Sequence, residues 1–235
     1  MSNISRDLKT LARLAPRPVR PEEAAAALGV DVAAVVDEGE ALVAQGMLAF
    51  RDGGFAPGSV PDDSAVSSVR DTQLAGSLAD AWSAKGADPA DIGRLLAVAS
   101  RWGEARDALA QAAVKADADP AVAGELARLA LQAQEHAPGL DRVTQGRLRL
   151  VHARYLRSAG TSAEAMSELE TAVRSLDGVE QIDALYFATV VADDMQSPQR
   201  AETYAALGEH QAWAAALPAK AGALLTLRGR VLSRI

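Results

Sequence analysis

Beyond residue 64 the chain carries helix-breaking residues at near-regular intervals, and no alternating apolar–polar run marks a strand. The breaks fall at Gly86 to Pro89, Trp102-Gly103, Asp119-Pro120, Pro138-Gly139, Gly160, Gly178, Pro198 and Pro218. The segments between them predict helices over roughly 64–85, 89–101, 103–117, 120–136, 140–158, 161–176, 179–194, 198–215 and 219–234. Helices this short, joined by turns of a few residues, fold back on one another, which leaves a bundle or an α-solenoid. Composition agrees. Of 235 residues 49% are hydrophobic but only 4% are aromatic, and alanine fills the difference. A small, helix-favouring side chain lets neighbouring helices approach closely.

The first 60 residues follow another pattern. Ile4, Leu8, Leu11 and Leu14 fall at helical spacing, and Pro16 and Pro18 end that helix. Pro21-Glu22-Glu23 starts a second, with proline in the first turn and acids at the positive end of the dipole, and Gly29 stops it. Asp31 caps a third, in which Val32, Val35, Val36, Leu42 and Val43 are apolar. Met47 to Phe50 and Phe55 flank Asp52-Gly53-Gly54, the signature of a β-hairpin. Three helices and a small hairpin in this order predict a winged helix over residues 1–60. GSVPDDS at 58–64 is linker-like, and a helical-repeat domain is expected over 61–235.

A winged helix is best known for gripping DNA, and the chemistry here argues against that use. The third helix carries Asp37, Glu38 and Glu40 and no Lys or Arg from Asp31 to Gln45. Affinity for DNA comes largely from cations placed against phosphate. Arg51 stands alone on the hairpin, Arg13, Arg17 and Arg20 lie near the second helix, and Gln45 is the one residue suited to base reading. DNA is therefore disfavoured, and Asp37, Glu38, Glu40 and Arg51 are assigned to a protein-contact surface.

A charge of −7 excludes a broad basic face for nucleic acid or acidic membrane. The absence of cysteine excludes disulfides, thiolate metal sites and a cysteine nucleophile, and fits a reducing cytoplasm. No signal peptide and no run of 18 apolar residues is present. Arg outnumbers Lys 20 to 4, which with the alanine content suggests a GC-rich bacterial genome. His136, His152 and His210 have no ligand partner at helical spacing, so no metal is expected. Asp62-Asp63 and Asp193-Asp194 read as acids at helix ends, and Glu164, Glu168 and Glu170 as a solvated face. With no nucleophile beside a base and no cofactor loop, the chain is expected to be neither an enzyme nor a cofactor carrier.

The candidate binding site is a stripe of arginines. Arg142, Arg147, Arg149, Arg154 and Arg157 share one helix with His152 and Tyr155. At 100° per residue, Arg147, Arg154 and Arg157 span less than a quarter of its circumference. With Tyr155 they would bind a carboxylate, a phosphate or an acidic peptide. The alternative is a solvated stripe paired with acids on neighbouring helices. Arg228, Arg230 and Arg234 form a second, weaker cluster, and Trp82, Trp102 and Trp213 are expected to pack in the core.

The helices also carry a faint repeat. SAGTSAEAMSELETAV places Gly160, Glu164, Ala165 and Ala172 in the tetratricopeptide register. RWGEARDALAQAA places Trp102, Glu104, Ala105 and Ala112 there, and SPQRAETYAALG places Ala201 and Gly208. Ala165 to Ala201 is 36 residues, near the repeat length, whereas Ala105 to Ala165 is 60, so the repeats are degenerate or interrupted. A winged helix, a linker, SSVRDTQLAGSLADAW and then DPADIGRLLAVASRWGEARDALAQAA together resemble the middle of a STAND-class signalling ATPase. These are regulators related to the maltose activator, many with a LuxR-type DNA-binding tail. The resemblance implies a mainly α chain, a winged helix followed by a tetratricopeptide-like α-solenoid. It also implies a winged helix used as an intramolecular clamp, and a solenoid that binds a partner, a peptide or a small effector. There are departures. No G-x-x-x-x-G-K-[ST] loop occurs, so nucleotide hydrolysis is not expected, and no basic helix-turn-helix follows. The last helix ends at Arg234-Ile235 without a polar cap, as expected of a fragment or of an end that a partner covers. The alternative function is a DNA-binding transcriptional regulator with a ligand-sensing helical-repeat domain.

Overall fold

A computed structural model describes residues 2–59, 68–116 and 118–234. Among them the chain is mainly α, with twelve helices and one two-stranded sheet. Most of the expected linker, with Asp62-Asp63, lies outside the described residues. No described helix is long and apolar enough to cross a membrane. The chain divides into two compact units, Met1–Leu109 and Ala110–Ile235.

The first unit contains α1 (Asn3–Leu14), α2 (Pro21–Leu28), α3 (Val32–Ala44), β1 (Leu48–Arg51), β2 (Gly54–Pro57), α4 (Ser68–Ala84), α5 (Pro89–Val98) and the first part of α6 (Trp102–Lys115). Its helix ends follow local chemistry. Ser2 accepts from the Ser5 N–H at 3.0 Å and Asp31 from the Ala33 N–H at 3.2 Å, contacts that each contribute about 1 kcal/mol. Asp52 and Gly53 both adopt positive φ (52° and 76°), as a two-residue hairpin turn requires, and set Phe50 opposite Phe55. The segment between α1 and α2 joins this hairpin. Val19 donates to the Phe55 carbonyl at 2.9 Å and accepts from the Phe55 N–H at 2.8 Å. Phe55 then presses on α3 at Gly39, where a Cβ would stand 2.1 Å from its ring.

α4 lies against α1 and α2 and buries Leu74, Leu78 and Trp82. Arg13 pairs with Asp71 at 2.9 Å, and Arg70 pairs with Asp7. Arg17 sits at the centre of the joint. It binds Glu23 through two N–H groups at 3.0 and 3.2 Å, lies 3.5 Å from Asp91 on α5, and stacks 3.9 Å above the Trp82 ring. Burial pushes the Glu23 carboxyl up, but hydrogen bonds from Arg17 and the Arg20 N–H outweigh it and hold the group below the ordinary carboxylate value. Asp91 goes the other way, raised by burial and by the charge of Asp88.

The second unit contains the rest of α6, α7 (Pro120–His136), α8 (Arg142–Ser158), α9 (Ser162–Ser175), α10 (Gly178–Asp194), α11 (Pro198–Ala214) and α12 (Pro218–Leu232). From α7 onward each helix packs on the next, and α10 also meets α8 and α12. Small residues set these approaches. A Cβ at Gly124 on α7 would lie 2.1 Å from the Tyr155 Cβ on α8. Ala165 and Ala172, two of the residues in the repeat register, are fully buried in a core with Leu169, Leu176, Ala188 and Val191. Trp213 departs from the packing expectation at 55% exposed, because it falls on the outer face of α11, whose buried residues are Ala201, Ala205, Gly208 and Ala212. The acids of α9 are not a plain solvated face either. Glu168 pairs with Arg149 at 2.7 Å, and Glu170 pairs with Arg200 and accepts from Tyr204 Oη at 2.8 Å.

Candidate functional site

α10 is apolar on two sides, and the second side lines pockets bordered by α8 and α12. Ile182, Leu185, Ala188, Val191 and Ala192 face the core. Tyr186, Phe187 and Val190 lie on the other side, with Tyr186 41% exposed. α8 and α12 flank this strip and bring cations to its edges. Two adjoining pockets result, of about 560 and 510 Å³, which share Arg157 and Asp194. The larger is lined mostly by charged and polar side chains around Tyr186, Val190 and Leu227, and the smaller is the more apolar of the two.

The charges here are largely paired across helices. Arg157 donates to Asp194 at 2.6 Å, and its guanidinium stands 5.6 Å from the Phe187 ring. Arg230 and Arg234 share Asp193, at 3.1 and 2.6 Å. Lys220 pairs with Asp183. Arg154 lines the smaller pocket with Pro120 and Ser158, is exposed, and has no carboxylate within ion-pair distance among the described residues. Among the described residues the two pockets are lined by two acids, Asp193 and Asp194, and four cations, Arg154, Arg157, Arg230 and Arg234, so the surplus is positive on an acidic chain.

The structure separates the members of the expected stripe. Arg154 and Arg157 line the groove. Arg147 is tied to Glu180 at the start of α10, at 2.8 Å, and lines neither pocket. Tyr155 is half-buried and fills the notch at Gly124, so it serves packing between α7 and α8. Asp193, Asp194, Arg230 and Arg234, which the sequence set apart in two bland clusters, meet in the groove. Tyr186, Phe187 and Val190 were not singled out at all. Their signal was an α10 sequence with apolar residues on every side, more than one packed face can use.

In the first unit, Asp37 and Glu40 are exposed on α3 and Arg51 is exposed on β1. Glu38 is different. It turns back to α1 and accepts from the Ser5 hydroxyl, which holds its carboxyl below the ordinary value. Of the arginines considered for phosphate contact, Arg13 and Arg17 are held by acids of this unit. No group of three His, Asp or Glu placed to hold a metal occurs among the described residues.

No protein-family model and no curated protein matches the chain. Among solved structures it is similar to a Signal Transduction ATPase with Numerous Domains (STAND) protein with a tetratricopeptide repeat sensor from Pyrococcus horikoshii. The identity is 10% and the TM-score 0.34, over 100% of this chain and 48% of that one. The chain thus spans about half the length of that structure. A likeness at this score carries nothing about residues or activity.

Proposed function

We propose that this chain is a non-catalytic, tetratricopeptide-like interaction module of a signalling regulator, and that its second unit binds an acidic segment of a protein partner across α8, α10 and α12. The observation that carries this reading is the groove itself, an apolar strip at Tyr186, Phe187 and Val190 edged by arginines, of which Arg154 has no carboxylate partner among the described residues. An acidic peptide would place a carboxylate on Arg154 by bidentate hydrogen bonds and an apolar side chain on the strip. Residues 1–60, on the same reading, form a winged helix that contacts protein. The competing DNA-binding regulator lacks support on α3, whose exposed charges are all acidic.

The test is fluorescence anisotropy with Glu- and Asp-rich peptides of about 12 residues carrying one Phe. Binding should weaken as salt rises from about 0.05 to 0.5 M, and Arg154→Ser should weaken it about fivefold or more. Equal binding by wild type and Arg154→Ser, or tight salt-dependent binding of duplex DNA in its place, would overturn the reading.

A further inference from the structure

The first unit holds a second recess, unrelated to the groove. It encloses about 440 Å³ between α2, α3 and the hairpin, with Phe55 as its floor and Pro21, Val36, Val43 and Phe50 as its walls. Glu40 is the one charged residue that lines it among the described residues. The recess is preformed. Phe55 is held by two backbone hydrogen bonds to Val19 and by contact with Gly39, and Phe50 packs edge-on against it with ring centroids 5.4 Å apart. Phe50 is nevertheless 55% exposed. An aromatic left in water at the lip of a rigid apolar recess has most of its burial still to gain.

The charges around the recess are unequal. Val36, Glu40 and Val43 recur at i, i+4 and i+7, so they share one face of α3, and Asp37 borders that face. Both acids are exposed and no cation lies on α3. Arg51 follows Phe50 on β1, where successive side chains alternate faces, and it does not line the recess. The α3 wall is thus acidic and the hairpin wall, Phe50 and Phe55, is apolar.

We propose that this recess docks a protein segment presenting one or two bulky apolar side chains flanked by Lys or Arg, with the basic flank against Asp37 and Glu40. The apolar residue fills the space over Phe55 and shields Phe50. The basic residues meet the α3 acids, which makes recognition electrostatically selective as well as hydrophobic. A neutral apolar small molecule would use the recess and leave the acids without a role. A second copy would bring its own acidic α3 to this wall. The proposal rests on the reading of residues 1–60 as a protein contact and is independent of the groove on α8, α10 and α12.

A phage-displayed library of random peptides of about 12 residues, selected on the intact chain, tests it. The expected consensus has a large apolar residue with Lys or Arg at fixed spacing. Synthetic peptides of that consensus should lose at least about tenfold in affinity for the Asp37→Lys/Glu40→Lys and Phe50→Ser variants, with unchanged circular dichroism. The Arg154→Ser variant should bind them as wild type does, so failure here and failure of the groove stay distinguishable. The inference is overturned by no enrichment, by a consensus without basic residues, or by affinity indifferent to the charge reversal. Sedimentation showing a dimer that Phe50→Ser dissolves would overturn it too, by giving the face to a second copy.

Discussion

Gly124 and Gly229 both lie in helices of the second unit, yet a methyl group acts on them in opposite directions. At Gly124 the new Cβ would meet the Tyr155 Cβ at 2.1 Å, and a Cβ is fixed by the backbone, so one helix must move. Overpacking of this kind costs about 1–3 kcal/mol, against about 1 kcal/mol gained in helix propensity. At Gly229 nothing among the described residues stands within 4 Å, and only the propensity gain remains. Gly124→Ala should therefore lower the urea midpoint and Gly229→Ala raise it, with the m-value unchanged in both. Glu23 supplies a pH test. Its carboxyl lies below the ordinary value of 4.5 in the folded chain, so its contribution is present above about pH 4.5 and is lost as pH falls through the folded pKa. Glu23→Gln should cost about 1.5–3 kcal/mol near neutral pH, toward the lower end because Arg17 is 33% exposed, and should flatten the loss of stability in acid. Denaturant titrations between pH 3 and pH 7 decide it; parallel curves for both proteins would remove Glu23 from the account. At this scale the breakers and caps were legible, since Asp31, Gly160 and Pro198 act on the backbone within a few residues of themselves. The partners of Glu23, and the lack of a carboxylate beside Arg154 among the described residues, were not, because a side chain's neighbours across the fold leave no mark in local spacing.

The elements themselves were read within a few residues: α7, for instance, is Pro120–His136 as expected, and α10 runs Gly178–Asp194. Which face of each helix stays open was less legible. α10 illustrates why. Its apolar residues surround the axis, so periodicity cannot say that one side meets the core and the other a groove. That groove is held in check by its own acids. Asp193 takes up both Arg230 and Arg234, and its side chain is 10% exposed while theirs are 54% and 57% exposed. Asp193→Asn releases two cations toward an incoming carboxylate and removes a competing anion. Affinity for the acidic peptides should rise several-fold, while stability falls by about 1–2 kcal/mol, because both arginines stay more than half in water but the Asp193 carboxylate is nearly buried. Anisotropy and a thermal melt on the same sample separate the two effects. Unchanged or weaker peptide binding would mean that Arg230 and Arg234 are not part of the site.

At the scale of the whole molecule the question is which pieces hold their own core. The turn chemistry of residues 58–64 suggests where a linker begins, but it carries no information about what later helices pack against. In the structure α4 covers α1 and α2, and the joint is polar as well as apolar. Arg13 reaches Asp71, Asp7 holds Arg70, and Arg17 lies between Glu23, Asp91 and the ring of Trp82. Leu78 and Trp82 are fully buried. Cutting the chain at residue 59 would bare the side of α1 and α2 that α4 covers, and would leave Asp7 and Glu23 half-buried without α4 to enclose them. A chain this short buries only about 60% of the surface its unfolded form exposes, so it has little stability to spare. A piece ending at residue 116 keeps α4, α5 and the contact of Leu109 with Gly93. Residues 1–116 should therefore melt cooperatively, and residues 1–59 should show a broad or absent transition and bind a hydrophobic dye. Thermal circular dichroism of the two pieces decides the matter. A sharp melt from residues 1–59 alone would show that α1–α3 and the hairpin suffice, and that α4 is attached to a finished domain.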